Sequence, residues 1–205
     1  MKTYFSLLLL IVFGLQQLGA QETRTSQMSI PIAIGFGLKE GMESEGIGGV
    51  CSIGWQKTLD KNNRWRLQPS FTFGEYTTSG ISDTRDAFFR TTSIETKLHH
   101  DLLKYKAFSI VLTGGVFLTT ERGLKGGGGE LMNRSKSGYF SNFYYGGLGS
   151  AGIRISPKKS KIDYELKPIN FRFGKDQYFA FAILVGIDVK LDNYKANKQL
   201  RFFDD

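Results

Sequence analysis

The chain has 205 residues, with 27 Lys and Arg against 19 Asp and Glu for a formal net charge of +8, and a single cysteine. One cysteine excludes an internal disulfide, and beyond the N-terminus no stretch approaches the roughly 18 consecutive apolar residues of a membrane helix. The basic balance would suit a polyanion, but no compact basic motif accompanies it, so nucleic acid is not an expected partner.

Residues 1–20 read as a secretory signal. Lys2 precedes "YFSLLLLIVFGL", and "QQLGA" follows before Gln21, the charged, apolar and small-residue order of an export segment. Cutting after Ala20 removes one basic residue and no acidic one, leaving +7. Cys51 reads as a small apolar residue on a packed surface.

From residue 21 to 192 the recurring signal is alternation, the period of two that places successive side chains on opposite faces of a strand. In "MSIPIAIGFGLK", Met28, Ile30, Ile32, Ile34, Phe36 and Leu38 share one face, and Ser29, Pro31, Ala33, Gly35 and Gly37 the other. A second strand sets Ile47, Cys51, Ile53 and Trp55 against Gly48, Val50, Ser52, Gly54 and Gln56. After the turn "DKNN", Trp65, Leu67, Phe71 and Phe73 oppose Arg66, Gln68, Ser70, Thr72 and Gly74. The fourth, from Phe88 to Leu98, is weaker, because Arg90 and Thr92 interrupt its apolar face. The fifth carries Phe108, Ile110, Leu112, Val116 and Leu118; the sixth Phe143, Tyr145, Ala151, Ile153 and Ile155; the seventh Ile162, Tyr164 and Leu166. The eighth alternates Phe179, Phe181, Ile183, Val185, Ile187, Val189 and Leu191 with Ala180, Ala182, Leu184, Gly186, Asp188 and Lys190.

Eight antiparallel strands of about ten residues predict an all-β, closed, up-and-down transmembrane barrel, since closure leaves no edge and lets a sheet live in lipid. With the N-terminal side in the periplasm, links two, four and six ("LDKNN", "HHDLLKYK", "SPKKSK") are periplasmic and the longer glycine-rich link is outside. A soluble barrel also alternates, with its apolar face inward. Here the second face is Gly, Ser and Ala at mid-strand, which suits a narrow bore. The first face carries aromatics toward both ends, Trp55, Trp65, Phe108 and Tyr164 at one level and Phe73, Phe88, Phe143, Tyr145, Phe179 and Phe181 at the other, as girdles at two interfaces require.

The export signal, the alternation over residues 27 to 192 and the terminal "FAFAILVGIDVKL" resemble the small outer-membrane β-barrel family of Bacteroidetes type, distantly similar to the eight-stranded OmpA and OmpX barrels. The resemblance implies location in the cell outer membrane, contact with its lipid and no cofactor. Family barrels often finish on an aromatic of the last strand, whereas this chain continues into a tail, 193–205, holding Phe202 and Phe203.

On the small-residue face, Arg66, Glu95, Lys97, Arg154, Asp163, Glu165, Lys167, Asp188 and Lys190 form a nearly balanced set. Buried charges are costly unless paired, and an eight-stranded bore is just wide enough for side chains to fill. A plugged lumen is therefore expected, with a proton or ion path as the alternative. His99 and His100 are the only histidines. Placed at a periplasmic turn, they read as solvated, far from outer-leaflet chemistry, with no third ligand for a metal. No catalytic residue is expected.

"GLKGGGGELMNRSKSGYF" (123–140) lacks the Lys and Ser or Thr of a phosphate-binding P-loop and reads as slack outer chain. Its basic residues and their neighbour, Arg122, Lys125, Arg134 and Lys136, suit the phosphates of a glycolipid, or simply solvated loop charge. Three functions fit: a non-catalytic structural or surface-interaction barrel, a barrel subunit of a conjugation or secretion machine with an envelope protein partner, and an outer-membrane lipid-modifying enzyme.

Overall fold

A computed structural model describes residues 27–41, 45–60, 62–77, 88–125, 138–157 and 160–191. The expected export segment 1–20, the tail 193–205 and Arg134 and Lys136 of the expected outer loop lie outside them.

The strands are β1 (Met28–Glu40), β2 (Glu45–Gly54), β3 (Gln56–Thr58), β4 (Trp65–Thr77), β5 (Phe88–Tyr105), β6 (Phe108–Lys125), β7 (Gly138–Ile155), β8 (Ile162–Gly174) and β9 (Phe179–Leu191). β2 and β3 each pair antiparallel with β1 and β4, every later strand pairs antiparallel with the one before it, and β1 pairs with β9, closing the ring. β2 and β3 occupy one position in that ring, giving eight, and the break between them has a local cause. It faces Pro31 of β1 on one side and Pro69 of β4 on the other, two residues with no N–H to give the ladder. The Trp55 amide still donates to the Pro69 carbonyl at 3.0 Å.

The ladder climbs as it circles. Register partners run from Met28 through Lys57, Leu67, Leu98, Gly114, Gly149, Phe171 and Phe181 to Leu38, ten positions along β1 from the start. That stagger is what tilts the strands of a closed barrel. The β8–β9 hairpin turns on Asp176 and Gln177, both with positive φ (60° and 58°), the backbone of the hairpin turn whose twist matches its strands.

The apolar set of every strand faces outward and the small and polar set inward. Ile32, Phe71 and Ile183 are exposed, while Ser52 and Gly186 are buried. Cys51 also faces out, between Ile34 and Phe73.

Two expectations are corrected. "HHDLLKYK" is not a link: β5 runs to Tyr105, and the turn is Lys106–Ala107, with Lys106 at φ 55°. Likewise Arg122 and Lys125 belong to β6 rather than to a loop. At His99–Asp101 and again at Thr119–Arg122 inward and outward positions are polar alike, so no apolar contrast carries the strand through.

Candidate functional site in the barrel interior

The inward side chains build three levels. Nearest the N-terminal end of β1, Arg66 reaches Asp101 at 2.6 Å and Glu165 at 3.2 Å, with its Nη1 donating to Gln56 Oε1 at 3.3 Å. Arg154 holds Asp163 at 2.5 Å and Asp188 at 3.0 Å, and Gln56 Nε2 donates to the same Asp188 oxygen at 2.8 Å. Lys190 pairs with Asp163 and Lys167 with Glu165, each at 2.6 Å.

Higher up, Glu95 takes Lys97 at 2.5 Å on one oxygen and the Arg172 guanidinium on the other. At the far end Lys39 pairs with Glu121, both side chains fully buried. Its ammonium lies 4.6 Å from the centre of the Phe89 ring, 5.4 Å from Tyr144 and 5.5 Å from Tyr178, within reach of cation–π attraction. Phe117 and Tyr76 complete this aromatic level. Tyr178 enters it from the β8–β9 turn. Burial pushes its phenol above the ordinary range against the opposing pull of Arg172, so it is held neutral.

All nine charges expected inside are brought together there, and each is in an ion pair. Sequence reasoning missed Lys39, Asp101, Glu121 and Arg172. Lys39 was legible by parity, since it continues the face of Pro31, Ala33, Gly35 and Gly37. Arg172 was not: β8 slips register between Lys167 and Asn170, at Pro168, which exchanges the faces beyond it.

The histidine expectation is overturned in position. His99 is wholly buried, with Nδ1 2.7 Å from the Thr113 hydroxyl and Nε2 2.7 Å from Gln68 Oε1. Gln68 Oε1 can only accept, so Nε2 carries the proton and Nδ1 accepts from Thr113. A hydroxyl on an oriented imidazole is the geometry of an activated nucleophile. Here Thr113 lines a cavity of about 40 Å³ with Gln68, Lys97, Ser150, Glu165 and Lys167 among its other walls, room for a few waters. His100 faces outward against Trp65, ring centres 4.1 Å apart. Among the described residues no group of three or more His, Cys, Asp or Glu could hold a metal ion.

The ten aromatics expected at the rims all lie on the outward face, Phe181 half-buried and the others exposed. Arg122 is exposed on the outward face of β6, apart from the interior set.

A closed ring of eight strands, apolar outside and ionic within, is the architecture of a small membrane barrel. Its fold is similar to that of Ail, the attachment invasion locus protein of Yersinia pestis (TM-score 0.53, 10% identity, covering 82% of this chain and 100% of that one). It is similar too to Neisserial surface protein A (TM-score 0.54, 14% identity, 80% and 97% covered). A structure of Ail in complex with the heparin analogue sucrose octasulfate matches at TM-score 0.53 and 11% identity, covering 82% of this chain and 100% of that one. No protein-family model and no curated protein matches the sequence.

Proposed function

We propose that the chain is an outer-membrane barrel without catalysis, serving a structural or surface-interaction role, with its lumen closed by its own charged and aromatic side chains. The observation that carries this reading is the inversion of the wall. Among the described residues thirty-five large hydrophobic side chains are exposed, far beyond the scattered apolar positions of a soluble surface, while Arg66, Glu95, Asp163 and Asp188 are almost wholly buried. Water outside would penalise the first set, and a greasy core the second; hydrocarbon outside and a polar bore satisfy both. The likeness to Ail and to Neisserial surface protein A supports a place in the outer membrane and a role at the surface. The narrower Bacteroidetes-type assignment rests on the sequence resemblance.

The interior pairing supports the plug. Seven basic and six acidic side chains lie there among the described residues, leaving little fixed charge to draw ions of either sign.

The test is fractionation with electrophoresis before and after boiling. The protein should enter the outer-membrane fraction and its folded band should shift on heating; recovery in a soluble fraction without detergent refutes the location. In planar bilayers the expected trace is flat, and a steady ohmic conductance at neutral pH refutes the plug.

A further inference from the structure

On the outward faces of β5 and β6 the residues change in register, rung by rung: Ile94 opposite Leu118, Thr92 opposite Thr120, Arg90 opposite Arg122, then Phe88 opposite Leu124. Two guanidiniums directly across from each other repel, so this rung lacks an anion. Arg90 has only Glu75, at 3.1 Å, from the β4 side, with both side chains more than 60% exposed, and an exposed pair of that kind holds weakly. Arg122, on the β6 side, has no carboxylate partner among the described residues.

The depth of the rung says which anion. Two residues along a tilted strand advance the position by roughly 5 Å, so the arginines stand about 10 Å beyond the Ile94–Leu118 rung and one step short of the Phe88–Leu124 rung, at the level of the rim aromatics, where hydrocarbon gives way to head groups. Tyr139, 90% exposed, stands just above on β7, and Ser141 lies directly opposite Arg122. Together with Thr92 they line a shallow hollow in the wall. The Thr92–Thr120 rung at the foot of the hollow adjoins Ile94 and Leu118, so a ligand whose head sits between the arginines has its chains where acyl groups already lie. A soluble anion gains nothing from that continuity. Toward the same rim β1 and β9 carry Leu38 opposite Phe181 and then Glu40 opposite Phe179, apolar groups and an acid in place of arginines, so the site is one-sided.

We propose that Arg90 and Arg122 form a binding site for the phosphate groups of an outer-leaflet glycolipid. The planar fork of each guanidinium matches a phosphate with two parallel donors, and one phosphate between the strands relieves the repulsion of both. The proposal rests on the outer-membrane reading above.

The probe is bisphosphorylated lipid A, set against the same lipid stripped of its phosphates, with the full chain in detergent micelles and retained lipid read by native mass spectrometry. The wild type should keep the phosphorylated lipid and release the stripped one. The double variant Arg90→Gln/Arg122→Gln should bind it at least about tenfold more weakly, and Glu75→Gln should bind no less than the wild type. Both arginines are exposed, so the variants should still shift on boiling as the wild type does. Equal retention by wild type and double variant, or of both lipids by a wild type that shifts on boiling, overturns the site while the barrel stands. Displacement of the lipid by equimolar inorganic phosphate reassigns the rung to a soluble anion and overturns the lipid claim. A wild type with no heat-dependent shift removes the membrane reading and the site together.

Discussion

Arg66 is the residue on which most of the lower lumen converges. It is 1% exposed and serves Asp101 and Glu165 at once. Arg66→Gln leaves two buried carboxylates short of a cation, and breaking a buried pair from one side costs about 3–5 kcal/mol. The urea midpoint of the folded protein in detergent should fall accordingly. Lys190→Gln, whose ammonium is the most exposed of the interior set, should cost about 1 kcal/mol or less. The equilibrium unfolding of the two variants, compared, ranks burial directly. Which charges point inward was readable wherever strong neighbours fixed the parity: Arg154 lies between Ile153 and Ile155, and Asp188 between Ile187 and Val189. Glu121 lies between Thr120 and Arg122, where polarity on both sides erases the contrast. His99 was misplaced for a related reason: His100 and Asp101 follow it, and a polar run resembles a turn until its hydrogen bonds are seen.

The strands pack closely enough for single glycines to matter. A Cβ on Gly35 would meet the Ile183 carbonyl oxygen at 1.9 Å, and one on Gly48 the Glu75 carbonyl oxygen at the same distance. Both obstacles are backbone, so the sheet itself must shift. Gly49 and Gly114 have nothing within 4 Å of an added Cβ. Gly35→Ala and Gly48→Ala should therefore destabilise by about 1–3 kcal/mol, whereas Gly49→Ala and Gly114→Ala should stay within about 0.5 kcal/mol of the parent. Thermal or urea unfolding of the four single variants separates the classes, and equal effects in both refute the packing argument. At this scale the sequence predicted the number of ladder positions and the strands with clean alternation. It under-read β5 at its C-terminal end and β6 and β7 toward their shared hairpin, all three being 18 residues long. The β2–β3 break needed Pro31 and Pro69 brought to either side of it, a juxtaposition that exists only in the folded ring.

For the whole molecule, the direction in which the wall faces is the central physical fact. Cys51 reports on it. Exposed on the outward face and lying between Ile34 and Phe73, it should be covered by acyl chains in a bilayer, out of reach of water-soluble reagents. In vesicles it should resist a water-soluble maleimide and react fully after denaturation. Rapid labelling of the folded protein in vesicles would place the first face in water. The bore was the part of the site most legible from sequence, because a face of Gly, Ser and Ala leaves room only for what its charges need. The outer level around Lys39 was least so, because its rings come from β5, β7 and the β8–β9 turn, and no local spacing announces that meeting.

The ladder that closes the ring, β1 with β9, sets Met28 directly beside Leu191, so the described chain enters and leaves the barrel at adjoining points on one rim. A short Gly-Ser tether joining those points would span a few ångströms and strain nothing. The chain can then be reopened between Lys125 and Gly138, and the same cylinder should assemble from a new start, since pairing does not depend on where the polypeptide begins. A permuted protein that still migrates as a compact species before heating would show that the ring is a cycle of equivalent contacts; one that never acquires that form would mean the native order of synthesis is part of the fold.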